Sequence, residues 1–213
     1  MPHDSVRTIL FDWDGTLFDS FSAGYHASVT VLQHLGVEVT RERFLETYSP
    51  NWHESYAKLG VPKERWTEAD RLWRKTYDAS TSKPFPHAFE TLSRLHDASF
   101  SLGLVTSGDR DRVENELARF ELRDYFSVVV CFEDTEKKKP DPAPLALALG
   151  KLAVEASITA YVGDRPEDIE MGRSVGSYTI AVESEYGPRG LLEEAAPDWL
   201  LPHAGHLPDR LGV

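Results

Sequence analysis

The sequence is poor in the features that mark an exported, membrane-bound or nucleic-acid-binding protein. It carries one cysteine, Cys131, so no disulfide can close within the chain. Lying in the apolar run Val128–Phe132, Cys131 reads as a small core residue, and no histidine is identifiable as the partner a nucleophilic thiol would need. No apolar run approaches the roughly 18 residues that cross a bilayer. The opening Met-Pro-His-Asp-Ser has no basic segment leading into an apolar one, which leads us to expect a cytoplasmic protein. Basic residues are also in deficit: 23 Lys and Arg against 35 Asp and Glu leave a net charge of −12. Such a field repels a polyphosphate backbone, so nucleic acid is not expected as a partner. A small anionic substrate would have to be held locally, by a few cations, backbone amides or a bound metal.

What is present is an ordinary globular composition, with 41% hydrophobic and 27% charged residues over 213 positions. That length buries a proper core without disulfide or structural metal. No repeat or low-complexity linker interrupts it. Strand signals fall at Thr8–Asp12, Phe100–Thr106, Phe126–Phe132, Ile158–Gly163 and Tyr178–Val182. Helical patterns at Ala88–Ala98, Arg110–Phe120, Ala143–Lys151 and Glu167–Val175 link the later ones, and the tail after them is less regular and rich in proline. Alternation of this kind predicts an α/β fold, a doubly wound parallel sheet of Rossmann-like type with five strands.

Between residues 18 and 83 the pattern is helical throughout, at Ala23–Leu35, Arg43–Tyr48, Trp52–Leu59 and Lys63–Ala79. The expected organisation is therefore a discontinuous core, 1–17 with 84–213, interrupted by a small all-helical cap domain, 18–83. The insertion's cations (Arg41, Arg43, Lys58, Arg65, Arg71, Arg74, Lys75) and aromatics (Trp52, Tyr56, Trp66, Trp73) mostly read as polar and packed helix faces. One or two of the cations, turned toward a substrate, would favour an anionic leaving group.

Chemistry concentrates in four short stretches. In the first, Ile9, Leu10 and Phe11 form a buried-strand signal ending at Asp12-Trp13-Asp14-Gly15, with Gly15 as the turn residue. Ligands of open parallel sheets bind beyond the carboxyl ends of the strands. Asp12 could attack phosphorus there as a nucleophile, and Asp14 could protonate the leaving oxygen and later take a proton from water. Aspartates at such turns also serve simply to bind the backbone. In the second stretch, Thr106, Ser107 and Gly108 precede a helix, a hydroxyl-and-amide setting suited to an anion, though Ser107 or Asp109 could equally cap that helix. In the third, Lys137, Lys138 and Lys139 precede Pro140. A lysine run is usually a solvated face, but the proline restrains Lys139, which could neutralise both Asp12 and a phosphoryl group. In the fourth, Asp164 ends a strand and Pro166 opens a helix that carries Asp168 in its first turn. An acid there can serve the helix dipole alone; together with Asp12 and Asp14, Asp164 and Asp168 make a cluster of hard oxygen donors of the kind Mg²⁺ prefers. His203 and His206 lie among Pro202 and Gly205 and read as loop, not as a metal helix.

These stretches, Asp12-x-Asp14-Gly-Thr-Leu, the strand ending at Thr106, Lys139-Pro140-x-Pro142 and Gly163-Asp164-x-x-x-Asp168, occur in the order and near the spacing of the haloacid dehalogenase-like hydrolases. The chain resembles that superfamily over nearly its whole length, the helical insertion included. The resemblance implies a Mg²⁺-dependent phosphatase with Asp12 as nucleophile and Asp14 as acid/base. Thr106, with Ser107 beside it, and Lys139 would hold the phosphoryl group; Asp164, with Asp168, would bind metal alongside Asp12 and the backbone carbonyl of Asp14. Retention of Asp14 points to phosphate monoesters, because the dehalogenases and phosphonate-cleaving members lack it. The opening Phe-Asp-x-Asp-Gly-Thr-Leu-x-Asp-Ser and the run Lys-Pro-x-Pro-Ala-Pro-Leu are most similar to phosphoglycolate phosphatase-like members, which implies a small phosphorylated metabolite as substrate. Departures are Ser107-Gly108-Asp109, where many relatives have Asn-Lys, and His87, where a glycine commonly follows the proline. Two rival readings remain at this point: a sugar phosphomutase of the same superfamily, and a receiver-like phospho-acceptor domain, which would not need the insertion.

Overall fold

The computed structural model describes residues 5–78 and 81–213. In chain order its elements are β1 (Thr8–Phe11), β2 (Phe18–Asp19), α1 (Phe21–His34), α2 (Arg41–Thr47), α3 (Trp52–Lys58), α4 (Trp66–Thr76), β3 (Lys83–Pro84), α5 (Ala88–Asp97), β4 (Ser101–Val105), α6 (Arg110–Arg119), β5 (Val128–Val130), α7 (Ala143–Leu152), β6 (Thr159–Gly163), α8 (Pro166–Val175), β7 (Tyr178–Val182), α9 (Arg189–Ala195), β8 (Trp199–Leu201) and α10 (Leu207–Leu211). Of the helix expected at 63–79, residues 63–65 are a 3₁₀ turn, and Ala79 lies outside the described residues, as do the first four residues of the opening segment.

Six strands, not five, form one parallel sheet in the order β5-β4-β1-β6-β7-β8. The additional strand, β8, lies in the proline-rich tail, where Pro197 and Pro202 bracket three ladder residues at the sheet edge. A strand so short has no room for a period, and prolines are tolerated at an edge. The tail also forms α9 and α10. At the other end of the insertion, β2 pairs with β3 as a two-residue ribbon, where only helix was expected.

β1 and β6 are buried along their whole length, as central strands covered on both faces should be. Their side chains alternate between two cores. Ile9, Phe11, Leu102, Leu104, Ala160 and Val162 pack on one face with Trp13, Leu92 and Leu117; Leu10, Val105, Val128, Val130 and Tyr161 pack on the other with Leu145 and Met171. In register, Phe11 lies opposite both Leu104 and Val162. Asp12 therefore leaves the sheet between β4 and β6, which each run one residue further, to Val105 and Gly163.

The chain divides into two compact units, 1–19 with 84–213 and 20–83. The second is helical, with a core of Val31, Leu32, Tyr56, Val61 and Ala69 against which Trp52, Trp66 and Trp73 pack. Asp70 accepts from the Trp52 indole at 3.0 Å and lies 2.9 Å from His53 Nε2, pinning α3 to α4. Arg65 pairs with Glu68 at 2.9 Å, Arg43 with Glu46 at 3.5 Å, and Arg41 lies over the Phe21 ring, so three of the unit's cations serve its own surface.

Candidate functional site

Asp12 follows β1 directly. Its N–H continues the sheet by donating to the Val162 carbonyl at 2.8 Å, and the side chain is buried. The chain then reverses sharply. The Trp13 carbonyl accepts from the N–H groups of Thr16, Leu17 and Phe18 at 3.2, 3.0 and 3.0 Å. Gly15 takes φ +82°, and a Cβ there would lie 2.1 Å from Asp164 Oδ2. Gly15 is thus required twice, by its left-handed backbone and by the closeness of Asp164.

Across the switch point, Asp164 directly follows β6. Its Oδ2 accepts from the hydroxyl of Ser184, which itself accepts from the N–H groups of Tyr186 and Gly187 at 2.9 and 3.0 Å. Pro166 opens α8, and Asp168 Oδ2 accepts from Arg165 N at 3.1 Å. That bond turns the other oxygen of Asp168 inward. Tyr161 ties this side to β4: its hydroxyl donates to the Val105 carbonyl at 2.7 Å and lies 3.4 Å from Asp168 Oδ1.

Lys139 joins the halves. Its Nζ donates to Asp12 Oδ1 at 2.6 Å and to Asp168 Oδ1 at 2.8 Å, above the Tyr161 ring, and the side chain is 2% exposed. Of the three consecutive lysines only Lys137 is a surface residue, pairing with Asp141 at 3.3 Å. Lys138 bonds the Phe132 and Thr135 carbonyls, and Lys139 is interior.

Asp12, Asp164 and Asp168 each offer a carboxylate oxygen within 4.8 Å of the others, all buried. The Lys139 ammonium bridges Asp12 and Asp168, while Asp164 has the Ser184 hydroxyl and the charge of Arg165. Burial, reinforced by Asp168 and Asp14, pushes Asp12 up to about 7 although Lys139 pulls it down. Burial, then Asp12 and Asp168, holds Asp164 well above the carboxylate range. Burial alone would lower Lys139, but Asp12 and Asp168 carry it well above its ordinary value. Three buried carboxylates converging in this way are hard oxygen donors that could hold a divalent cation.

The carboxylate of Asp14 departs from expectation. It is not in the cluster but is forked by Arg112, Nη1 to Oδ1 at 2.9 Å and Nη2 to Oδ2 at 2.5 Å, because the turn after Trp13 aims it toward α6. Thr106 stands just past the end of β4, one residue beyond the level of Asp12, its Oγ1 accepting from Gly108 N at 2.9 Å. Ser107 is half-buried beside it, and the helix cap is Asp109, which accepts from Arg112 N. Cys131 is buried, its thiol pushed up to about 12 by burial, as befits a core residue. His203 caps a 3₁₀ turn that ends at His206, and the two rings stack in series with His87.

Sequence reasoning missed Arg112, Glu116 and Ser184. Arg112 and Glu116 had one visible signal, their i,i+4 spacing on a helix, which says nothing of Asp14. Ser184 had none.

Residues 9–182 match the profile of the family described as haloacid dehalogenase-like hydrolase. The chain is 31% identical over 198 residues to the pyrophosphatase PpaX of Bacillus mycoides, covering 92% of each chain. Among solved structures it resembles a predicted phosphoglycolate phosphatase from Haemophilus somnus 129pt, with TM-score 0.85, 20% identity and coverage of 97% and 98% of the two chains. It also resembles CbbY from Rhodobacter sphaeroides in complex with phosphate, with TM-score 0.81, 23% identity and coverage of 95% and 96%.

Proposed function

The chain belongs to the haloacid dehalogenase-like hydrolase family and is a phosphatase of it; on that premise we propose that it hydrolyses a small anionic phosphorylated metabolite through a phosphoryl group carried on Asp12. The observation that carries this reading is the ammonium of Lys139 set between Asp12 and Asp168, 2.6 and 2.8 Å away, at the mouth of the central strands.

An Asp12 oxygen attacks phosphorus as the bond to the leaving oxygen breaks, and Asp14 supplies the proton an alkoxide needs. Water then attacks the aspartyl-phosphate and gives its proton to Asp14. Lys139, the Thr106 hydroxyl and Ser107 offset the charge on the transferring group. Asp12, Asp164 and Asp168, with the backbone carbonyl of Asp14, would hold Mg²⁺, which when bound offsets negative charge on the phosphoryl oxygens. The acidic cluster supports this assignment. We assign recognition of the part of the substrate beyond the reacting phosphorus–oxygen bond to the helical unit, residues 20–83, as a cap.

Pyrophosphate joins phosphoglycolate as a candidate substrate because the relative at 31% identity is a pyrophosphatase. Both are small and anionic beyond the phosphoryl group attacked. A panel of phosphorylated metabolites that includes both, assayed with Mg²⁺ for released phosphate, tests the reading. Preference for one small acidic member supports it; preference for bulky nucleotides, or isomerisation of a sugar phosphate without phosphate release, overturns it.

A further inference from the structure

Asp14 is restrained in a way that Asp12 is not. The guanidinium on both its oxygens is itself fixed from behind. Arg112 Nη1 also reaches the two oxygens of Glu116, at 3.3 and 3.1 Å, and Glu116, 2% exposed, accepts from the Trp13 indole N–H at 2.8 Å. Trp13 lies between Asp12 and Asp14, so the relay Trp13–Glu116–Arg112–Asp14 begins and ends in one loop. Gly108 keeps the path open: a Cβ there would stand 2.6 Å from Arg112 Nη2. A bidentate guanidinium is the strongest and most directional of side-chain clamps on a carboxylate.

We propose that Arg112 is a positioning residue that selects leaving groups: by engaging both oxygens of Asp14, it favours substrates whose departing oxygen is stable as an anion over those that must be protonated as they leave. The inference rests on the reading of Asp14 as the group facing the leaving oxygen. In the first step the bond from Asp12 to phosphorus forms, the bond to the leaving oxygen breaks, and the electron pair goes with that oxygen. An alkoxide must then take a proton from Asp14, which has to turn an O–H away from Arg112 and open one arm of the fork. A phenolate, or the phosphate released from pyrophosphate, keeps the pair as an anion, so no proton crosses and the fork stays closed. In the second step water adds to phosphorus, the Asp12–phosphorus bond breaks with its pair returning to Asp12, and the water proton passes to a free lone pair of the Asp14 carboxylate. A carboxylate has about four such sites, of which the fork takes two.

The test is a leaving-group series, p-nitrophenyl, phenyl and ethyl phosphate with pyrophosphate alongside, on the full chain with Mg²⁺, read as kcat/KM from released phosphate. Arg112→Lys leaves a single-point donor, and the double variant Arg112→Met/Glu116→Gln removes the fork without stranding a buried Glu116 charge. In both, the ratio of p-nitrophenyl to ethyl phosphate turnover should fall about tenfold or more from the wild-type value, a fraction of what proton transfer is worth, because a freed Asp14 oxygen helps ethoxide leave. Simple loss of structure would lower every substrate together and leave that ratio within about twofold, the range set aside as no effect on an acid-base contribution of this size. That result would overturn the role of Arg112. Asp14→Asn separates the two levels: if it leaves ethyl phosphate turnover untouched, the assignment of Asp14 fails and this inference with it. If ethyl phosphate turnover is lost while the Arg112 ratios do not move, only the inference fails.

Discussion

Lys139 touches Asp12 through a 2.6 Å ion pair, although 127 positions separate them in the chain. Replacing it with methionine removes the ammonium that bridges the buried Asp12 and Asp168. Breaking a buried pair from one side typically costs about 3–5 kcal/mol. Lys139→Met should therefore melt well below wild type in chelator and recover part of the difference in Mg²⁺, while staying inactive. Equal melting temperatures of the two proteins in chelator would contradict the charge balance drawn here.

The two acids of the first loop should fail differently. Asp12→Asn removes the attacking oxygen, and no phosphoenzyme should be trapped by acid quench with labelled substrate. Asp14→Asn removes proton transfer, worth about 10²–10⁴-fold in rate, and should still form phosphoenzyme from p-nitrophenyl phosphate. Near-wild-type turnover by Asp12→Asn would end the covalent mechanism.

Metal binding should be measurable without turnover. Mg²⁺ at about 100 times its dissociation constant would add about 2.7 kcal/mol to stability, read as a rise in melting temperature that Asp164→Asn abolishes. Ser184→Ala, which deprives Asp164 Oδ2 of its hydroxyl donor, should weaken the Mg²⁺ dependence of that rise. Ca²⁺ should bind without restoring activity, because its larger shell accommodates both oxygens of Asp12 and occupies the attacking one. Full activity in excess chelator would refute the metal assignment.

Stability should fall with acid because of His87. Its Nε2 is buried without a hydrogen-bond partner among the described residues, and its ring stacks on His203 at 4.3 Å. Burial first, then His203 and His206, lower it to about 4 from 6.5. The folded state keeps the ring neutral while the unfolded chain protonates. The stabilisation is complete above the unfolded value and is lost as pH falls from about 6.5 through about 4, by at most about 3 kcal/mol. Urea midpoints between pH 7 and pH 4 should drop less for His87→Phe than for wild type; parallel curves would exclude His87 as the source.

Local signals were legible and tertiary ones were not. Thr8–Phe11 reads as a buried strand because all four side chains are covered, and Pro166 and Asp168 mark a helix start because capping is a matter of adjacent residues. The structure gathers Asp12, Lys139, Asp164 and Asp168, each of which stands out in its own short stretch. Arg112 did not stand out, since its fork to Asp14 joins α6 to the loop after β1 and an arginine in a charged helix looks like solvated surface. β8 was hidden by its length. Lys139 was marked out only by the proline that follows it, since otherwise an interior lysine looks like the two that precede it.

The placement of β1 between β4 and β6 also bears on how the protein is made. Thr8 is synthesised well before its neighbours in the sheet, Ser101 on one side and Thr159 on the other. Residues 20–83 are contiguous and carry their own apolar core, with every member of it synthesised before Ser101. The strand that bears Asp12 must wait, and pairings closed over such distances are slow to form. Every residue of the helical unit is therefore on the growing chain before the strand that leads to Asp164 has been synthesised.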